Sequence, residues 1–232
     1  MKPYWLAKST DVLTQIYRHP FNQQLSQGTL SKTIFMAYVQ QDGLYLQEFA
    51  KALQVLSSRF LNQPEERHLR KCSNDMILSE LKMQQKYLKK TERGTFFAPQ
   101  AHQPIEKIPV ITKYTAHLQY TVRHSPIPEA VASCLPCFFI YHQLGKQMAL
   151  HSTPNNPYRD WIASYSSPQF TSSTEFMTDL TRALTHPISC PLSQERINFA
   201  FLQSAHFELM FFDAVFYNEP LDLSHENRTF HL

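Results

Sequence analysis

Glycine is nearly missing from this chain, with only 4 among 232 residues. Hairpins and tight turns draw on glycine for positive φ, whereas helix interiors exclude it, so a fold built mainly of sheet is not expected. Long apolar runs are missing too. No stretch approaches the roughly 20 residues that a membrane-spanning helix requires. Met1 to Thr10 carries Lys2 but no apolar core, so no secretory signal is expected there. Cysteine is scarce: Cys72, Cys134, Cys137 and Cys190 are too few for a disulfide framework in a chain this long, and a reduced, cytoplasmic setting is the default. Charge is thin as well. A formal net charge of +3 without any Lys/Arg block argues against a nucleic-acid partner. The densest basic run, Lys82 to Arg93, alternates with Gln, Tyr and Glu and reads as a solvated helix face.

What the chain does have is 43% hydrophobic residues, 13% aromatics and 15 prolines that fall between helical stretches. Its length suits one domain over residues 1–232 with a sizeable core. The expectation is an all-α bundle of seven to eight helices. The periodicity predicts helices over Tyr4 to Tyr17, Ser31 to about Arg59, Pro64 to Glu92, Val110 to Arg123 and Glu129 to Leu150. A short helix carrying Trp161 and Tyr165 follows, then Ser167 to Thr185 and Ser193 to Phe216. Ser26 to Leu30 reads as a turn around Gly28, and Gly94 to Pro109 as a proline-bearing loop. No internal repeat is visible.

Three positions carry chemistry. Cys137 follows Pro136 inside an otherwise helical run, where proline deletes one hydrogen bond and crowds the preceding turn. Tyr141, four residues on, shares its face. By periodicity alone an unpaired cysteine among apolar residues is a small core hydrophobe. Cys134 and Cys137 match Cys-x-x-Cys, but a redox motif needs a preceding strand and zinc needs further ligands, and neither is evident. Glu208 lies in Phe207-Glu208-Leu209-Met210-Phe211-Phe212; buried there, its pKa rises, which suits a general acid or base. Asp42 shares a helix face with Tyr38, Tyr45 and Phe49. One carboxylate between aromatic rings suits a flat, nitrogen-rich heterocycle, which stacks while the acid accepts from its amino group. An Asp42 bonded within the core is the structural alternative. His117, His142, His151 and His206 form no repeated Glu-x-x-His pair of the di-iron type.

These motifs together resemble the TenA/thiaminase II family. Phe21 to Leu30, followed by Tyr38-Val39-Gln40-Gln41-Asp42-Gly43-Leu44-Tyr45, is similar to its N-terminal signature. Leu135-Pro136-Cys137 with Tyr141 looks like its nucleophile segment, Trp161-Ile162-Ala163-Ser164-Tyr165 like its Trp-Ile-x-x-Tyr element, and Glu208 stands where its C-terminal glutamate falls. The resemblance implies a haem-oxygenase-like helical bundle, usually a homotetramer, that hydrolyses thiamin or an aminomethyl-pyrimidine derived from it to hydroxymethylpyrimidine. It also implies roles: Cys137 as nucleophile, Glu208 as proton shuttle, Asp42 gripping the amino-pyrimidine edge, and Tyr45, Tyr114, Tyr141 and Tyr165 lining the pocket. It implies no metal and no organic cofactor. Two positions depart from the pattern: Gln84 stands where many relatives carry His, and Phe212 where Trp is usual. A non-catalytic pyrimidine-binding protein and a metal-dependent oxygenase of the same fold are the alternatives.

Overall fold

The computed structural model describes residues 4–83, 105–153 and 155–217, which form helices and connecting turns without a strand among the described residues. The helices are α1 (Tyr4–Lys8), α2 (Thr10–Arg18), α3 (Pro20–Gln27), α4 (Lys32–Ser57), α5 (Pro64–Met83), α6 (Pro109–His124), α7 (Ile127–His151), α8 (Arg159–Tyr165), α9 (Pro168–Thr185) and α10 (Pro191–Tyr217), with one 3₁₀ turn at Ser58–Phe60. The all-helical expectation holds. Gln84 and the loop from Gly94 to Pro104 lie outside the described residues, as does the expected stretch of the third helix beyond Met83.

The helix boundaries follow local chemistry. Proline opens α3, α6, α9 and other helices at the first turn, where its missing N–H has no helical partner to lose. Ser167 caps α9 by accepting from the Phe170 amide at 3.2 Å. Ser31 occupies the N-cap position of α4, but its side chain makes no capping bond. The segment read as one helix from Tyr4 to Tyr17 is two. The chain breaks at Ser9, whose Oγ returns to the Trp5 carbonyl at 2.6 Å, competing locally with the helical ladder. The turn expected from Ser26 is the end of α3, where Gly28 takes φ 75°, the left-handed conformation that ends a helix. His19 caps the start of α3 through its Nδ1 and the Phe21 amide, so this helix begins on a histidine rather than on one of the usual Ser, Thr, Asp or Asn caps.

α7 is the central element. It packs against α10, α9, α8 and α6, while α4 packs against α5 and α6. Residues 130–138 of α7 are all buried, as expected for a helix apolar all round. The helix runs unbroken through Pro136. No helix among the described residues is long and apolar enough to cross a membrane. All four cysteines are free thiols.

Two polar braces fix the connections near the core. The Gln41 side chain donates to the Glu106 carbonyl at 2.9 Å and accepts from the Ile108 amide at 3.0 Å, so its amide clamps the segment leading into α6. Asn156 donates to the Leu25 and Ser26 carbonyls, each at 2.9 Å, and accepts from the Tyr158 amide at 2.8 Å. That side chain ties the connection between α7 and α8 to the end of α3.

Candidate active site

Four of the residues singled out from sequence line one cavity of about 270 Å³: Asp42 from α4, Cys137 and Tyr141 from α7, and Tyr165 at the end of α8. A single water needs only about 10–15 Å³ on such a measure, so the cavity has room for a small organic molecule. Cys137 and Tyr141 share a wall because they lie one helical turn apart. Tyr165 reaches the cavity because α8 crosses α7 at Gly145. A Cβ added there meets the Tyr165 Cβ at 2.9 Å and its carbonyl carbon at 3.0 Å, closer than real contacts allow. His142 holds the same residue through Nδ1, 3.1 Å from the Tyr165 carbonyl oxygen. Trp161, only 1% exposed, packs edge-on against Tyr165 at 4.6 Å. In the Trp-Ile-x-x-Tyr element the tryptophan therefore anchors and the tyrosine faces the cavity.

A second layer stands behind that wall. Glu208, 1% exposed, does not line the cavity itself. Its Oε1 accepts from the Tyr114 hydroxyl at 2.9 Å and its Oε2 from the Tyr141 hydroxyl at 3.1 Å. Tyr38, itself fully buried, donates to the Tyr141 oxygen at 3.3 Å. Tyr45 and Tyr114, expected in the pocket wall, lie in this second layer. The Tyr114 ring is sandwiched between Tyr45 at 4.8 Å and Phe207 at 5.2 Å, so neither face is open to a ligand. The Tyr45 hydroxyl is buried beside the Tyr114 hydroxyl and the Cys137 thiol, and its hydrogen bonding pulls the pKa of each down against burial. Phe212 stacks parallel to Tyr38 at 6.2 Å and touches Phe21 at 5.3 Å, filling the space under the tyrosine layer.

Burial dominates the electrostatics. It pushes the Glu208 carboxyl from 4.5 up to about 7, with the two tyrosine hydroxyls pulling the other way. It pushes the Cys137 thiol well above its ordinary value, and the negative charges of Glu208 and Asp42 add to that. The resting sulfur is a neutral thiol at physiological pH. Asp42 is felt by both Tyr38 and Tyr165, whose hydroxyls are driven upward first by burial and then by that carboxylate. Near neutrality Glu208 is the group in this cluster that exchanges a proton most readily.

The opposite side of the cavity was not anticipated. α5 and α9 supply Asp75, Met76, Gln169, Phe170 and Ser173. Met76 follows Leu69, Cys72 and Ser73 at helical spacing, all buried, so that stripe identifies the inward face of α5. Nothing local in Gln169 or Ser173 marks them. His117 and His206 stay apart from the cavity: His117 is half-buried against Phe207, and His206 is exposed and bonds the Leu202 carbonyl. Among the described residues no three His, Cys, Asp or Glu side chains converge as metal ligands would.

The helical fold has solved counterparts. A domain of unknown function from Shewanella denitrificans, described as having a heme oxygenase-like fold, superimposes with a TM-score of 0.64 at 12% identity over 91% of this chain and 90% of that one. A TenA homologue from P. horikoshii superimposes with a TM-score of 0.77 at 25% identity, covering 92% and 96% of the two chains. The TENA/THI-4/PQQC family model matches residues 6–218, and the chain belongs to that family. Among curated relatives, the aminopyrimidine aminohydrolase of Halalkalibacterium halodurans is 24% identical over 209 residues, covering 88% of this chain and 90% of its own. The thiamine biosynthesis multifunctional protein ThiED of Corynebacterium efficiens is 30% identical over 164 residues, 71% of this chain, and the match spans about a fifth (21%) of that longer protein.

Proposed function

We propose that this chain is an aminopyrimidine aminohydrolase that replaces the amino group of an aminomethyl-pyrimidine with hydroxyl, releasing hydroxymethylpyrimidine and ammonia. The observation that supports this most strongly is the gathering of Asp42, Cys137 and Tyr141 on one aromatic-walled cavity with Glu208 directly behind. Relatives that bear this activity in their name add to it. In the proposed scheme Tyr165 and Tyr141 hold the ring and Asp42 accepts from its exocyclic amino group. The Cys137 sulfur bonds the carbon of a ring C=N bond, the nitrogen takes a proton from Glu208, and the S–H proton passes to the amino group of the substituent. The ring, no longer aromatic, expels the substituent from the attached methylene as ammonia. Water gives its hydroxyl to that methylene and its proton to sulfur, and loss of the thiol restores the ring. Covalent addition divides one hard displacement into easier steps. Glu208 supplies and recovers the proton at the ring nitrogen. No metal or organic cofactor enters this scheme. Thiamin, with its thiazolium as leaving group, is a second substrate of the same chemistry. We further propose that the protein works in the cytoplasm as a homotetramer, which size-exclusion chromatography with light scattering tests.

Cys137→Ser decides the central claim. It is expected to abolish release of hydroxymethylpyrimidine while still binding the pyrimidine, and full activity in the variant would overturn the reading. A non-catalytic binding protein has a different signature: the ligand raises Tm in the wild type but no product forms. The ratio of kcat/KM for aminomethyl-pyrimidine and thiamin on the wild-type protein then ranks the two substrates.

A further inference from the structure

Glu208 poses a problem of access, because its carboxyl is buried behind the cavity wall rather than in it. We propose that the Tyr141 hydroxyl is a proton relay that joins Glu208 to whatever ring nitrogen occupies the cavity. This deepens the hydrolase reading and rests on it for the identity of the ligand. Tyr141 lines the cavity, and its oxygen is 3.1 Å from Glu208 Oε2. A hydroxyl has one donor and two acceptor sites. The Tyr141 oxygen accepts from Tyr38 at 3.3 Å, which leaves one acceptor site open. It stands one turn from Cys137 on the same helix face, so thiol and hydroxyl address the same ligand. Tyr114 grips the other carboxylate oxygen at 2.9 Å, but its hydroxyl leads on only to Tyr45 and the Cys137 sulfur, and neither tyrosine lines the cavity.

The transfer balances without an added reagent. When Glu208 is protonated, its O–H donates to the Tyr141 oxygen, and the Tyr141 hydrogen turns to the ligand. As sulfur bonds the ring, its S–H proton passes to the departing amino group, which leaves as ammonia, while the Tyr141 proton passes to the ring nitrogen and the Glu208 proton replaces it. Tyrosine is unchanged and Glu208 becomes a carboxylate; water then gives its hydroxyl to the methylene and its proton to sulfur, and the reverse shift follows as the thiol departs. Burial and the surrounding negative charge hold the Tyr141 pKa far up, so the two transfers are concerted and no tyrosinate accumulates. The ionisable groups facing this pair are Tyr38, Asp42 and Tyr45 from α4, Tyr114 from α6, Cys137 from α7 and Tyr165 from α8.

The test uses Tyr141→Phe, Tyr114→Phe and Glu208→Gln with two readouts. The first is calorimetric binding of hydroxymethylpyrimidine between pH 5.5 and 8.5 in buffers of different ionisation enthalpy. The relay predicts proton uptake on binding above the Glu208 pKa of about 7, lost in Tyr141→Phe and Glu208→Gln but kept in Tyr114→Phe. The second is the pH profile of kcat. Tyr141→Phe is expected to lower kcat roughly 100-fold or more with KM changed less than tenfold, and to erase the inflection that Tyr114→Phe only moves upward. Proton uptake absent from the wild type, or undiminished in Tyr141→Phe, overturns the relay, as does loss of uptake to the same degree in Tyr114→Phe. If the wild type turns nothing over, the hydrolase reading fails by itself, and the calorimetry still decides the relay.

Discussion

Glu208→Gln probes the electrostatics of the second layer without any substrate. In the folded protein the carboxyl is held at about 7, against an ordinary value of 4.5. The unfolded chain therefore loses its proton first as pH rises. Between about 4.5 and 7 the folded state binds more protons than the unfolded one, so stability falls across that window and then levels off. At about 1.4 kcal/mol per pH unit the rise corresponds to about 3 kcal/mol, or roughly 6–12 °C in Tm for a chain of this size. Glutamine keeps an acceptor for one tyrosine and offers an amide donor to the other, whose hydroxyl rotates to receive it. Its stability should lack that decline. The assay is a pair of urea or thermal unfolding series from pH 5 to 8.5, at one protein concentration. His19 and His117, both held below their ordinary value by burial, act in the opposite direction, with stability rising towards pH 6.5. They are present in both proteins and cancel in the difference. Wild-type and variant curves that run parallel through the window would refute the assignment of the raised pKa to Glu208.

Four further outcomes are expected. Asp42→Asn removes the anion from the cavity wall, and loss of a charge-assisted hydrogen bond of about 1.5–3 kcal/mol should raise the dissociation constant for hydroxymethylpyrimidine roughly 10- to 150-fold; an unchanged constant by calorimetry would remove Asp42 from recognition. Gly145→Ala places a methyl group 2.9 Å from the Tyr165 Cβ and 3.0 Å from its carbonyl carbon, so α8 must move and ligand affinity should drop while the helical circular-dichroism spectrum is kept. Gln41→Ala breaks both bonds to the segment before α6 and should cost about 1–3 kcal/mol in urea unfolding. Asn156→Ala leaves the Leu25 and Ser26 carbonyls and the Tyr158 amide without their partner; its cost should be at least as large, measured the same way.

The helical class was legible because so little glycine leaves no material for hairpins, and prolines mark where helices start. Asp42, Tyr45, Cys137 and Tyr141 could be grouped because a helix repeats every three to four residues and fixes which side chains share a face. Glu208 stood out as a charge in an aromatic run. What could not be read was depth. Nothing local distinguishes Tyr141, in the cavity wall, from Tyr114, enclosed behind it. That difference depends on how α6, α7 and α10 pack, and α6 and α10 are separated by most of the chain's second half. The far wall from α5 and α9 was hidden for the same reason: Gln169 and Ser173 are ordinary polar residues until tertiary contact brings them opposite Cys137. α3 was missed because it is short and begins on a histidine.

The two extremes of thiol environment in this chain carry a practical consequence. Cys190 is exposed, with a pKa lowered by hydrogen bonds from Ser193, while Cys137 is enclosed and held as a neutral thiol. Alkylating agents and peroxide consume thiolates. The first equivalent of iodoacetamide should therefore be captured by a residue remote from the cavity. A preparation could lose a full titratable sulfhydryl and keep its catalytic capacity. Storage losses of free thiol are thus a poor gauge of the proposed nucleophile, whose thiol, held in its neutral form, reacts slowly with adventitious oxidants.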